Sequence, residues 1–191
     1  MQANTHPMTS RRSRARLLAV RYAVFLRAIN VGVTNRVQMA DLRQWCETLS
    51  FTRVSTHLQS GNILLESVSS DPEAVALQLE VMLFKRGFKN VSAIVRSEAQ
   101  MRDLLTLEPF ADTRDGLQYV VLLRSHATLE LPALPPKTNL ELIGVTRDAV
   151  FLWGERGLSH DASFVQKKLE VSATTRYWNV VKAMAELLLE M

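Results

Sequence analysis

Two short segments carry the densest polar chemistry of the chain: LRAIN at 26–30 and HLQSGN at 57–62. Arg27 offers the planar fork of donors that matches a carboxylate or a phosphate. Asn30, Gln59 and Asn62 add amides, Ser60 a hydroxyl and His57 an imidazole. The loop VGVTNR at 31–36 leaves the first segment and leads into a helix, contributing backbone N–H groups, Asn35 and Arg36. An arginine, several amides and a helix start in one place make an anion site, and carboxylate and phosphate are its natural guests. The same residue types also build turns, and Arg27 can instead pair with an acid across an interface. Residue types alone leave both readings open, and leave open whether a ligand held there would react.

Other chemistries find less support. His6, His57, His126 and His160 are scattered, and none has a partner at i+3 or i+4 suited to chelation, so no metal and no cofactor is expected. There is no Walker-type phosphate loop, and Gly32 and Gly61 make no dinucleotide fingerprint. A serine triad would need Ser60 or Ser159 with His57 or His160, and nothing marks either serine as activated. His160 and Asp161 read as a loop and a helix cap. Cys46 falls on one helical face with Met39, Leu42, Trp45 and Leu49, which predicts a core thiol rather than a nucleophile.

The elements that must position the polar segments follow from periodicity and punctuation. Strands are expected near 22–29, 53–58, 62–67 and 91–96, with a helix near 39–49. The second and third strands are joined by Gln59-Ser60-Gly61, a hairpin signal with a glycine free to take positive φ. A second helix opens at Asp71 as N-cap with Pro72 at its first position and stops before Gly87; Val75, Leu79, Met82 and Leu83 form its apolar stripe. The order βαββαβ is the ferredoxin-like motif. In it the first two strands run parallel with the third between them, which brings Arg27 and Asn30 beside His57, Gln59, Ser60 and Asn62.

The second half opens with Ser97 and Gln100 as a capping box over a helix at 98–107. A strand follows at 117–124, then the proline-rich LELPALPP at 129–136. A hairpin is expected at 139–153 around Thr146-Arg147-Asp148, then helices at 161–170 and 175–189. This order resembles the first half without its closing strand. The expected class is α+β, with two ferredoxin-like subdomains at 21–97 and 98–191, the second lacking or altering its last strand. The duplication rests on element order, with no repeat read at the level of residues.

YAVFL (22–26), YVVLL (119–123) and AVFLW (149–153) are apolar on both faces, which predicts sheets covered on both sides, by the other half or by a second chain. That pattern argues against an RNA-recognition sheet, which needs exposed aromatics. The sequence pI of about 9.5 is misleading. Residues 1–21 hold five arginines and no acid, and without them 18 basic residues face 19 acidic ones. Residues 1–20 are expected to be a disordered extension, with weak nucleic-acid contact through the arginines as the alternative. A single cysteine points to a reducing, cytoplasmic setting. No apolar run is long enough for a membrane span. A monomer or a homodimer is expected.

The segments 26–67 and ATTRYWNVV at 173–181 resemble the bacterial family known as domain of unknown function 1697. Its members read LRGINVGG-x-N, a helix beginning M-x-x-L, then YIQSGN, and near the C-terminus TTRNWN. The resemblance covers essentially everything after the tail. This chain departs from the pattern at Ala28 and Val33, where glycine is usual, at His57-Leu58, and at Tyr177. The resemblance implies two ferredoxin-like subdomains and no particular reaction. It adds Arg176 and Asn179 to the candidate residues, along with Thr174, Thr175 and Trp178. Read on their own, Thr174 or Thr175 caps the last helix, and Trp178 anchors its first turn beside Val181, Met184 and Ala185.

Overall fold

Chain alternation settles which face each strand buries. In the computed structural model, which describes residues 19–31, 33, 35–125, 134, 138–158 and 162–191, the elements are as follows. The first half holds β1 (Val20–Arg27), α1 (Met39–Thr48), β2 (Thr52–His57), β3 (Asn62–Ser67), α2 (Pro72–Lys85), β4 (Ser92–Ser97) and α3 (Glu98–Thr106). The second holds β5 (Leu117–Leu123), β6 (Leu140–Val145), β7 (Ala149–Gly154), α4 (Ser163–Leu169), β8 (Ala173–Tyr177) and α5 (Trp178–Leu189). The basic tail, most of the 129–136 segment and the His160–Asp161 pair lie outside the described residues. None of the described helices is long and apolar enough to cross a membrane.

The two antiparallel sheets have orders β2-β3-β1-β4 and β6-β7-β5-β8, the same order twice. Tyr22, Val24 and Leu26 of β1 face outward onto α1 and α2, with Leu42, Cys46, Leu79 and Leu83. Ala23 and Phe25 face the other way, into a central core shared with Val120, Leu122 and Phe151 of the second sheet. Helices α3 and α5 fill that central layer, through Met101 and Leu104 on one and Trp178, Val181, Met184, Ala185 and Leu188 on the other. Phe110, Phe151 and Trp178 meet there with ring centroids 5.9–6.2 Å apart, the spacing of aromatic pairs that gain beyond their buried area. Val121, Leu123, Val150 and Leu152 point to the far side, against Val165 of α4. The doubly apolar strands are thus covered twice, as the sequence predicts.

Local punctuation is also as expected. Asp71 accepts the N–H of Glu73 at 2.9 Å to open α2, and Gly87 follows its end at φ +89°. Ser97 and Gln100 form both bonds of the capping box.

The end of the chain differs from the sequence reading. The second sheet does have a closing strand: residues 173–177 are β8, not a helix start, and α5 begins at Trp178 with Tyr177 before it and no side-chain cap. Two β-branched threonines suit a pleated strand better than a first helical turn. They pair with Val121 and Leu122 of β5, whose backbone groups would otherwise lie unpaired at a buried sheet edge.

The two halves correspond residue by residue. Tyr22 lies opposite Ser97, and Tyr119 opposite Tyr177; Ala23 lies opposite Arg96, and Val120 opposite Arg176. Leu26 N–H donates to Gly61 O, and Leu123 N–H donates to Asp148 O. The signature is written in the sequence as YAVFLR (22–27) against YVVLLR (119–124), and AIVR (93–96) against ATTR (173–176). A repeat at the level of residues therefore exists, contrary to the reading from element order alone.

Candidate functional site

The exit of β1 is held by its own polar residues. Gly61 takes φ +73°, and a Cβ there would sit 2.9 Å from Cβ of Leu26, so only glycine lets the hairpin close on β1. Asn30 donates to Gln59 O (2.7 Å) and Val37 O (3.1 Å) and accepts the N–H of Val37 (2.8 Å). Asn35 donates to Ala28 O and Lys89 O, both at 2.8 Å. Ala28, Asn30 and Asn35 all take positive φ, at 61°, 55° and 49°. Asparagine tolerates that region and alanine does not, so the glycine usual at position 28 in the resembled family has a conformational reason.

Arg176 is the hub between the halves. It projects from β8 into the central layer and uses all five donors. Nε reaches Asn62 Oδ1 (2.8 Å), Nη1 reaches Thr174 Oγ1 (2.7 Å) and Thr175 O (2.9 Å), and Nη2 reaches Leu26 O (2.6 Å) and Ser60 O (2.9 Å). Asn62, fully buried, is oriented for this by donating to His57 O and Ser60 Oγ. No carboxylate among the described residues pairs with the guanidinium, and burial pulls its pKa down to about 10. Arg96 is its mate in the first half, donating to Leu123 O and to Asp148 O (3.1 Å). Each half thus sends one arginine, Arg96 buried and Arg176 part-buried, to the end of the other half's first strand.

Beside Arg176 opens a cleft of about 560 Å³ between the β1 exit and the edge of the second sheet. Arg27, Ser60 and Arg176 line it, with Thr174, Thr175 and Tyr119. Ser163 and Gln166 of α4 close the far wall. No acidic residue is among its described lining. The Arg27 side chain makes no hydrogen bond or ion pair among the described residues. Tyr119 packs on Tyr177 at 5.1 Å between ring centroids, and burial, then the Tyr177 phenol, push its own phenol up to about 12.

Of the residues singled out in the sequence, Arg27, Asn30, Ser60 and Arg176 share this cleft. Asn62 stands behind it, holding Arg176. Asn35 staples the neighbouring loop, and His57 is half-buried on the edge strand β2. Gln59, Arg36 and Asn179 are exposed and do not line the cleft. Tyr119, Ser163 and Gln166 were missed as lining residues, whereas Thr174 and Thr175 were drawn in by the family resemblance. No group of three His, Cys, Asp or Glu gathers among the described residues.

A family model described as "Protein of unknown function (DUF1697)" matches residues 20–151, from the start of β1 into β7. The chain belongs to that family. Among solved structures, it resembles the conserved bacterial protein SP0830 from Streptococcus pneumoniae, with a TM-score of 0.63 and 21% identity, over 89% of this chain and 99% of that one. At that identity the likeness speaks to the fold. No curated protein matches the chain.

Proposed function

We propose that this member of the DUF1697 family binds a small anionic molecule, bearing a carboxylate or phosphate, in the cleft at the end of β1. One observation carries the reading. Arg27 lines a cleft of about 560 Å³ with no side-chain partner among the described residues, next to the part-buried cation Arg176, and no described lining residue is acidic. Two guanidinium groups with no carboxylate among the described lining create a positive field focused by low-dielectric walls, which concentrates anions. Arg27 is the recognition group and Arg176 sets the background potential while holding the wall together. Ser60, Ser163, Thr174 and Thr175 supply hydroxyls and Gln166 an amide for the remainder of the ligand.

The test is thermal unfolding with sodium phosphate and sodium succinate at matched ionic strength. A ligand at a hundred times its Kd stabilises by about 2.7 kcal/mol, so a clear rise in Tm is expected with at least one of the two salts. The rise should vanish in Arg27→Ala. A Tm unmoved by either salt would overturn the reading.

A further inference from the structure

The duplicated half shows what the fold does with an arginine at this position. Arg124 is the mate of Arg27, each standing one residue beyond a leucine that pairs with an alanine of the closing strand, Leu123 with Ala173 and Leu26 with Ala93. Arg124 is not left open. Glu73 meets it side-on, at 3.0 Å and 3.2 Å from Nε, and Glu80 takes Nη1. The same Glu80 Oε1 also accepts the N–H of Ala93 at 2.8 Å, at the outer edge of β4. One carboxylate oxygen therefore bridges the guanidinium and an edge N–H, and a second carboxylate covers the other side of the guanidinium.

The edge N–H and the packed helix have counterparts around Arg27, and no carboxylate is among the described residues that line its cleft. Ala173 lines the cleft, on the edge strand of its sheet. Ser172 O accepts the N–H of Arg124 inside the sheet, so the planar trans peptide turns the Ala173 N–H outward, toward the edge. The helix packed there, α4, presents Ser163 and Gln166 where α2 presents Glu73 and Glu80.

Resting on the anion reading of the cleft, we infer that the ligand carries carboxylates: one bridges Arg27 and the Ala173 N–H as Glu80 bridges Arg124 and Ala93, and a second takes the place of Glu73. A small dicarboxylate satisfies both positions with one molecule. Its carboxylates are flat and accept two parallel N–H bonds, the geometry Arg124 already uses.

Calorimetric titration of the full chain with sodium succinate, and separately with sodium phosphate, distinguishes the two levels. Succinate should bind, with phosphate on the order of tenfold weaker or more, the loss expected for one charge-assisted hydrogen bond. Gln166→Glu, which supplies an internal carboxylate, should weaken succinate on the order of tenfold by competition and like-charge repulsion. Phosphate binding without succinate binding would overturn the carboxylate inference and leave the anion reading standing. Binding of neither would overturn both. Succinate affinity unchanged in Arg27→Ala would remove the ligand from this cleft.

Discussion

At the scale of single residues, the two arginines of the candidate site do different work. Arg176 satisfies carbonyls of Leu26 and Ser60 and the amide oxygen of Asn62 across the halves. Replacing it by leucine strands those acceptors, and should cost about 3 kcal/mol in chemical denaturation, as for breaking a buried polar network. Arg176→Lys should recover only part of that, because three donors cannot serve five acceptors. Ala28 holds φ +61°, so Ala28→Gly should raise stability by about 1 kcal/mol, read from the same denaturation curves. Cys46 is the opposite of reactive. Burial pushes its thiol up to about 12 from an ordinary value of 9.0. The native thiol stays protonated where the unfolded one ionises, so its contribution to stability is intact below pH 9 and is lost as pH rises from there toward 12. Native protein at pH 8 should resist iodoacetamide, and unfolded protein should not; rapid native labelling, followed by mass, would refute the core assignment.

At the scale of elements, legibility followed the strength of local chemistry. The opening of α2 at Asp71 and Pro72, the capping box at Ser97 and Gln100, and the turn at Gly61 were readable because each is set by bonds within a few residues. The capping box should be worth about 1 kcal/mol, tested by Ser97→Ala in thermal unfolding. Strand β8 was not readable. Its ATTRY segment has a helix immediately after it, and threonine before an apolar anchor is also a common helix start. What decides for a strand is β5, at least 50 residues earlier, whose edge needs a partner. The same distance hid the site. Thr174, Thr175 and Arg176 come to the β1 exit on a strand the local pattern did not announce, so the family resemblance could mark these residues but the sequence could not place them beside the first-half residues of the cleft.

At the scale of the whole molecule, the organising fact is a duplication: two identically ordered sheets with two helices between them. The matching hexapeptides YAVFLR and YVVLLR stood in the sequence from the start, but their meaning depends on register, which makes Arg27 and Arg124 mates. The duplication is not symmetrical in charge. One mate is neutralised by Glu73 and Glu80, and the other is left to face a cleft. Arg124→Ala should therefore cost about 2 kcal/mol by leaving a part-buried carboxylate unpaired, whereas Arg27→Ala should change stability by less than about 0.5 kcal/mol. The most direct measurement is the unfolding free energy of wild type and Arg27→Ala, each with and without saturating succinate. The two proteins should match without ligand, and only the wild type should gain stability with it. An Arg27→Ala chain that is several kcal/mol weaker without ligand, or that gains as much from succinate as the wild type, would contradict the assignment of Arg27 to an external anion.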